Sequence, residues 1–361
     1  MGTQFQNAFS DNALKQLIIL VLMTSAAASA GGGSQDRMVS LVTAVFSAPF
    51  ILFAMLGGWL ADRNSKQRVM VNVKVAEMGI MAFAGLALAT GNVVLNLAAV
   101  FLMGCHSAIF APSKYGILPE ILPHDKLSGG NGILALLTFL GVILGTVAAG
   151  LFSDALKGFE VKGLEWIAGP ILMVIAFVGW LLSRQITPVP AANPTCPVRI
   201  NPVTDLWRQL RIMKQDRDLW RACWGNTGFY FISALVMMNV VVFGKSVLNL
   251  TGTQNSMLNV WLALGIGFGS VVAGYASRGH IEYRLVPIGA LGLALSTVPM
   301  GMEGVTADAF RICMATLGFS AGLFIVPVVS VIQHRPSPES KGAVQGAVSS
   351  LSFIGIMAAA G

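Results

Sequence analysis

Apolar runs about as long as a bilayer is thick recur along the whole chain, and they dictate what it can become. A helix needs about 20 predominantly apolar residues to cross the hydrocarbon core. Runs bounded by charge or by Gly and Pro give eleven such spans, at about 3–30, 38–61, 69–90, 93–115, 129–153, 165–183, 218–243, 255–277, 285–301, 307–332 and 342–361. With 11% charged and 55% hydrophobic residues in a chain of 361, a water-soluble globule is excluded, since soluble domains carry roughly 25% charge. The expectation is an all-α membrane protein, a channel or transporter body.

The net charge of +7 does not point to nucleic acid. With the amino terminus cytoplasmic, 17 of the 23 basic residues fall in or beside cytoplasmic loops, as the positive-inside rule requires. The cysteines at 105, 196, 223 and 313 form no CxxC pair, so no metal site or disulfide framework is signalled. No basic n-region precedes the first span, which is expected to stay in place. Between spans 6 and 7 the composition changes: prolines at 188, 190, 194, 197 and 202 precede a basic stretch containing Arg208, Arg211 and Lys214. This divides the chain into 1–183, a cytoplasmic linker 184–217 and 218–361, and Leu206–Lys214 reads as an amphipathic surface helix.

An offset of about 214 residues maps the first part on the second. Gly104 to Pro112 answers Gly318 to Pro327 with one gap, and Asn131-Gly132, Phe139 and Gly141 answer Gln345-Gly346, Phe353 and Gly355. Two halves related by a parallel repeat are the major-facilitator plan, with a substrate site between them near the midplane. On this plan the second half has five helices, so a twelfth span is expected beyond Gly361.

Polar residues inside spans are the candidates for function. Gln4, Asn7, Asp11 and Lys15 follow one another at helical spacing, with Asn12 and Gln16 alongside. Asp11 and Lys15 are one turn apart, and pairing would offset the roughly 2.5–3.5 kcal/mol that each lone central charge costs. The stripe either faces a wet cavity or lies in the cytoplasmic interface. In Ala111-Pro112-Ser113-Lys114-Tyr115 the proline is expected to break the helix, leaving Lys114 to contact a phosphate or to snorkel to the membrane surface. Asn226 and Tyr230 form a softer polar face opposite, of the kind that also serves as interhelical glue. Lys74 and Glu77 read as a structural i, i+3 pair near the cytoplasmic boundary, and His106 as a core residue rather than a proton relay.

The loop after span 2 reads Gly57-Gly58-Trp-Leu-Ala-Asp62-Arg63-Asn-Ser-Lys66-Gln-Arg68 and resembles the major-facilitator loop signature. That resemblance implies gating roles for Gly58 in close packing, for Asp62 at a helix amino terminus, and for Arg63 and Arg68 in a cytoplasmic gate. The answering loop from Gly274 to Arg284 lacks the Asp-Arg pair, while Gln333, His334 and Arg335 are candidates for a second-half gate.

Gln4 to Lys15, Ala111 to Glu120 and Leu127 to Gly132 together resemble the bacterial lysophospholipid transporters of the major facilitator superfamily, and Lys15 resembles the members fused to acyltransferase and acyl-carrier-protein synthetase domains. The resemblance implies inward flipping of lysophospholipids, chiefly lysophosphatidylethanolamine, across the bacterial inner membrane for re-acylation by such enzymes in cis or in trans. It places an acid-amide pair on Asp11-Asn12 and a lysine on Lys114. A family arginine of helix 7 has no counterpart in Gly225-Asn226-Thr-Gly-Phe-Tyr230-Phe231. A zwitterionic headgroup calls for an anion such as Asp11 and a cation such as Lys114 or Lys15, beside an apolar slot for one acyl chain. No GxxxxGK[ST] loop is present, which speaks against ATP drive; coupling is expected from a Na+ or H+ gradient or from consumption of the product. No histidine opens an HxxxxD acyltransferase motif, so the chain reads as a carrier and not an enzyme. The competing expectations are an efflux carrier for amphipathic drugs and a membrane scaffold for an acyltransferase.

Overall fold

Every regular element among the described residues is helical in the computed structural model, which describes residues 1–27, 33–158, 165–197, 201–250, 252–277 and 279–360. Six helices come first: α1 (Gly2–Ala27), α2 (Gly33–Arg63), α3 (Lys66–Thr90), α4 (Val93–Ile121), α5 (Leu127–Gly158) and α6 (Ala168–Arg184). A short α7 (Pro202–Met213) leads to α8 (Arg217–Ser246), α9 (Gly252–Ala276), α10 (Leu285–Thr297), α11 (Ala307–His334) and α12 (Lys341–Ala360). Among the described residues nine segments are long and apolar enough to cross a membrane, and Leu285–Gly301 is a shorter apolar one. The segment containing α1 is not among the nine; its first four turns carry Gln4, Gln6, Asn7, Ser10, Asp11, Asn12 and Lys15.

Helix ends differ from the expected spans where proline was read as a stop. α4 runs through both Pro112 and Pro119 to Ile121. Proline removes one backbone donor, and in a packed bundle neighbouring helices re-satisfy the freed carbonyl. Lys114 therefore lies within α4 and does not close it. The amphipathic helix is also longer than Leu206–Lys214: Asn201 caps it by accepting from the Val203 and Thr204 N–H groups, and Pro202 occupies its first turn. α7 buries Gln209 and Met213 and leaves Trp207 exposed. The preceding segment is tied to the end of α2, where Asn193 N–H donates to the Asp62 carbonyl at 2.8 Å and Arg63 Nη1 to the Cys196 carbonyl at 3.3 Å.

The repeat is visible as packing. Gly104 of α4 lies against the Phe46 carbonyl of α2, and Gly318 of α11 against the Leu262 carbonyl of α9. Gly132 of α5 touches the backbone of Ser270 in α9, and its counterpart Gly346 of α12 touches the backbone of Ala54 in α2. A methyl group at any of these four would collide with main chain. Two equivalent seams result, α2 along α12 and α5 along α9. Gly361 lies outside the described residues, as do Arg278 of the answering loop and the side chains of Lys157, Lys162 and Lys245, counted above among the basic residues.

Candidate functional site

The polar stripe on α1 is inside the bundle. Gln4, Gln6, Asn7, Ser10 and Asp11 are all buried, so the stripe faces the neighbouring helices. It forms one wall of a cavity of about 250 Å³ that α2, α4, α5, α8, α11 and α12 complete. Asp11, Asn12, Lys114, Tyr115, Asn226 and Tyr230 all line this space. Lys15 does not; its ammonium lies 5.4 Å from the centre of the Phe46 ring of α2.

The expected Asp11–Lys15 pair is absent among the described ion pairs. Asp11 turns towards α4, where its Oδ2 accepts from Ser107 Oγ at 2.7 Å and from Asn7 Nδ2 at 3.0 Å. Lys15, one turn further on, faces α2. Neighbouring helices decide where each side chain points, and spacing along one helix does not override them. The second carboxylate oxygen of Asp11 is buried with no hydrogen-bond partner among the described residues. Gln4 presents a similar unpaired acceptor and Gln345, across the cavity, an unpaired donor. Lys114 is half-buried, with Nζ 4.1 Å from the Tyr115 ring centre and no described carboxylate within 4.0 Å. Asn226 donates to Ser352 Oγ at 2.8 Å, joining α8 to α12 at the cavity edge.

Behind the stripe lies a buried ion pair. Lys74 Nζ donates to Glu77 Oε2 at 2.5 Å, and to Gln6 Oε1 and Asn7 Oδ1 at 2.8 Å each. Gln6 Nε2 in turn donates to Glu77 Oε1 at 2.8 Å. Both charged residues are 0% exposed, and the pair joins α3 to α1 inside the bundle. It holds Asn7, which holds Asp11. Removing one partner of a buried pair strands the other charge, at a cost of about 3–5 kcal/mol. Glu77→Ala is accordingly expected to lower the melting temperature of the purified protein, and Glu77→Ala with Lys74→Met to recover part of the loss, as a thermal-shift assay would read.

The loop signature joins the end of α2 to the start of α12. Asp62 Oδ1 and Oδ2 accept from the Gly342 and Ala343 N–H groups at 2.6 and 2.8 Å, capping α12 from α2. A carboxylate at a helix amino terminus satisfies free donors and meets the favourable end of the dipole. Gly58 permits this approach, because a Cβ there would stand 2.5 Å from the Gly342 carbonyl oxygen. Arg63 is turned away to Cys196 and to the Trp59 ring at 5.2 Å, and Arg68 is exposed. Successive residues point about 100° apart around a helix, so the residue after an inward Asp62 looks outward. Two cations are buried at this end among the described residues, Lys66, paired with Glu120 at 2.5 Å, and Lys341. Along the other seam Asn131 and Gln333 exchange amide hydrogen bonds at 2.9 and 3.0 Å, and the His124 and His334 rings meet edge to face at 4.8 Å. Arg335 instead pairs with Asp216 and Asp218. In the cavity wall the Phe50 and Phe353 rings of α2 and α12 stack at 3.8 Å.

Comparison with known proteins agrees with this architecture. Residues 3–360 match the family described as Major Facilitator Superfamily. A relative named lysophospholipid transporter LplT, from Klebsiella pneumoniae subsp. pneumoniae, is 26% identical over 345 residues, covering 92% of this chain and 78% of the relative. Another of that name from Salmonella heidelberg is 27% identical over 338 residues, with the same coverage of each. Among solved structures, the human organic anion transporter MFSD10 (TETRAN) superposes with a TM-score of 0.77 at 16% identity, covering 99% of this chain and 90% of that one. The Escherichia coli fucose:proton symporter FucP gives 0.72 at 15% identity, covering 99% and 89%.

Proposed function

The chain belongs to the major facilitator superfamily, and we propose that within it this protein carries lysophospholipids from the outer to the inner leaflet of a bacterial inner membrane. The observation that carries the reading is the charge arrangement in the cavity. Asp11 offers a carboxylate oxygen without a hydrogen-bond partner and Lys114 an ammonium with no carboxylate within 4.0 Å among the described residues, in one space. A headgroup with an ammonium at one end and a phosphate at the other complements both, as lysophosphatidylethanolamine does. The relatives named lysophospholipid transporter support the same substrate class.

In this reading the helices before and after the 184–217 linker are two bundles that rock about the cavity. Positive-inside topology puts the amino terminus and the Asp62 seal on the cytoplasmic side, so the sealed form is loaded from outside. The acyl tail enters from the side, and the product is consumed by an acyltransferase or acyl-carrier-protein synthetase acting on the cytoplasmic face.

Uptake of labelled lysophosphatidylethanolamine by spheroplasts expressing the protein tests this directly. The expected result is accumulation well above that of spheroplasts lacking it. Export of amphipathic drugs without lysolipid uptake would replace this reading with the efflux one.

A further inference from the structure

The polar contacts of the cavity continue past Asp11 into the first six helices. Ser107 Oγ, which donates to Asp11 Oδ2 at 2.7 Å, stands 3.4 Å from His106 Nδ1. On the other side of the same ring, His106 Nε2 lies 3.3 Å from Glu77 Oε2. Asp11 and Ser107 line the cavity, whereas His106 is 3% exposed and lies behind it. The charged groups that face the imidazole are Glu77 and Lys74 of α3 and Asp11 of α1, and Phe110 stacks on the ring from its own helix. Lys15 and Lys114 are within electrostatic reach of Asp11.

A ring nitrogen facing a carboxylate oxygen carries its hydrogen, which puts N–H on Nε2 of His106. Ser107 has one hydroxyl hydrogen and two neighbours that accept, Asp11 Oδ2 and His106 Nδ1. Two arrangements satisfy the whole path. In the first, His106 is doubly protonated, its Nδ1–H donates to Ser107, and Ser107 donates to an ionised Asp11. In the second, Asp11 carries the proton and donates to Ser107, which donates to a neutral Nδ1. The two interconvert by hops through the hydroxyl and hold the same number of protons. An ionised Asp11 beside a neutral His106 holds one fewer, and one acceptor then loses its donor in a buried site, a costly arrangement.

We propose that Asp11 and His106 share one exchangeable proton through Ser107, and that a headgroup ammonium reaching Asp11 displaces this proton into the cavity. The inference rests on the reading of the cavity as a headgroup site. An ammonium beside Asp11 supplies both the missing charge and the missing donors. With the ammonium donating to Asp11, the Ser107 hydrogen turns to His106 Nδ1, and the shared proton leaves through the cavity for water. Binding of an ammonium-bearing lysolipid is thereby an exchange of one cation for another. Lysophosphatidylglycerol, which has no ammonium, binds without the exchange.

The test is calorimetric titration of the purified full chain with lysophosphatidylethanolamine, in buffers of different ionisation enthalpy from pH 5.5 to 8. Up to one proton is expected to be released per lipid bound. The affinity should rise about tenfold per pH unit on the acid side of the transition and level off above it. His106→Gln is expected to bind the lipid with proton release at pH 7 lost and the transition moved by about one pH unit or more. Ser107→Ala, which keeps both titrating groups and cuts the path between them, should show the same loss and guards against a misfolded His106 variant. Lipid binding without proton release by the unmodified protein overturns the exchange alone, as does an unchanged pH profile in both variants. Failure of the folded protein to bind lysolipid at any pH overturns the substrate assignment, and the exchange with it.

Discussion

Asp11→Ala is expected to cut lysophosphatidylethanolamine uptake by spheroplasts by about two orders of magnitude at equal expression. Truncating one partner of a buried charged contact costs about 2–5 kcal/mol, and about 2.8 kcal/mol is a hundredfold change. Asp11 is 8% exposed and its outer oxygen has no other described partner, so water replaces the lost contact poorly. Lys114→Ala should cost less, about tenfold, because the residue is only partly buried. Lysophosphatidylglycerol separates the two: its uptake should survive Asp11→Ala and fall with Lys114→Ala. Wild-type uptake of both lipids by both variants would remove these residues from the headgroup site.

Gly58→Val is expected to abolish transport by a different route. The new side chain projects into the backbone of α12 at Gly342, main chain facing main chain, where no rotamer provides room. The seam between α2 and α12 then cannot close, and the carrier stays open at the Asp62 end. With the four native cysteines replaced, a cysteine at Ile332, which lines the cavity, should react with an impermeant maleimide from that end in the valine variant and not in the parent. Asp62→Ala removes a cap of about 1 kcal/mol and leaves the close approach possible, so its labelling should be intermediate. Equal labelling of Gly58→Val and the parent would mean that this seam does not control access.

Which parts of this were legible in the sequence follows from the range of the forces involved. Spans are local: an apolar run of sufficient length crosses the bilayer whatever its neighbours do, and the expected helices are there. The α1 stripe was legible for the same reason, since spacings of three and four put Gln4, Asn7 and Asp11 on one face. Partner choice is not local. Asp11 bonds a serine 96 residues away in preference to Lys15, and Lys66 finds Glu120 at a separation of 54, where nothing in the basic loop marks it as buried. Lys74 and Glu77 were visible as a pair, but their depth was not, because depth depends on which helix covers them. His106 looked like a lone core residue for the same reason: its neighbours Glu77 and Asp11 come from other helices. Pro112 misled in the opposite sense, as a strong local signal that packing overrode.

The composition of the seal bears on the surroundings in which the carrier works. Among the described residues no ion pair joins a helix before α7 to one after it. The seams are closed by backbone donors on a buried carboxylate, an amide pair, stacked rings and touching glycines. Screening by dissolved ions acts on exposed charges and weakly on buried or neutral contacts. A bacterium that gains or loses solutes during osmotic shock, or that changes the proportion of anionic lipid around the protein, would leave the strength of this closure nearly untouched.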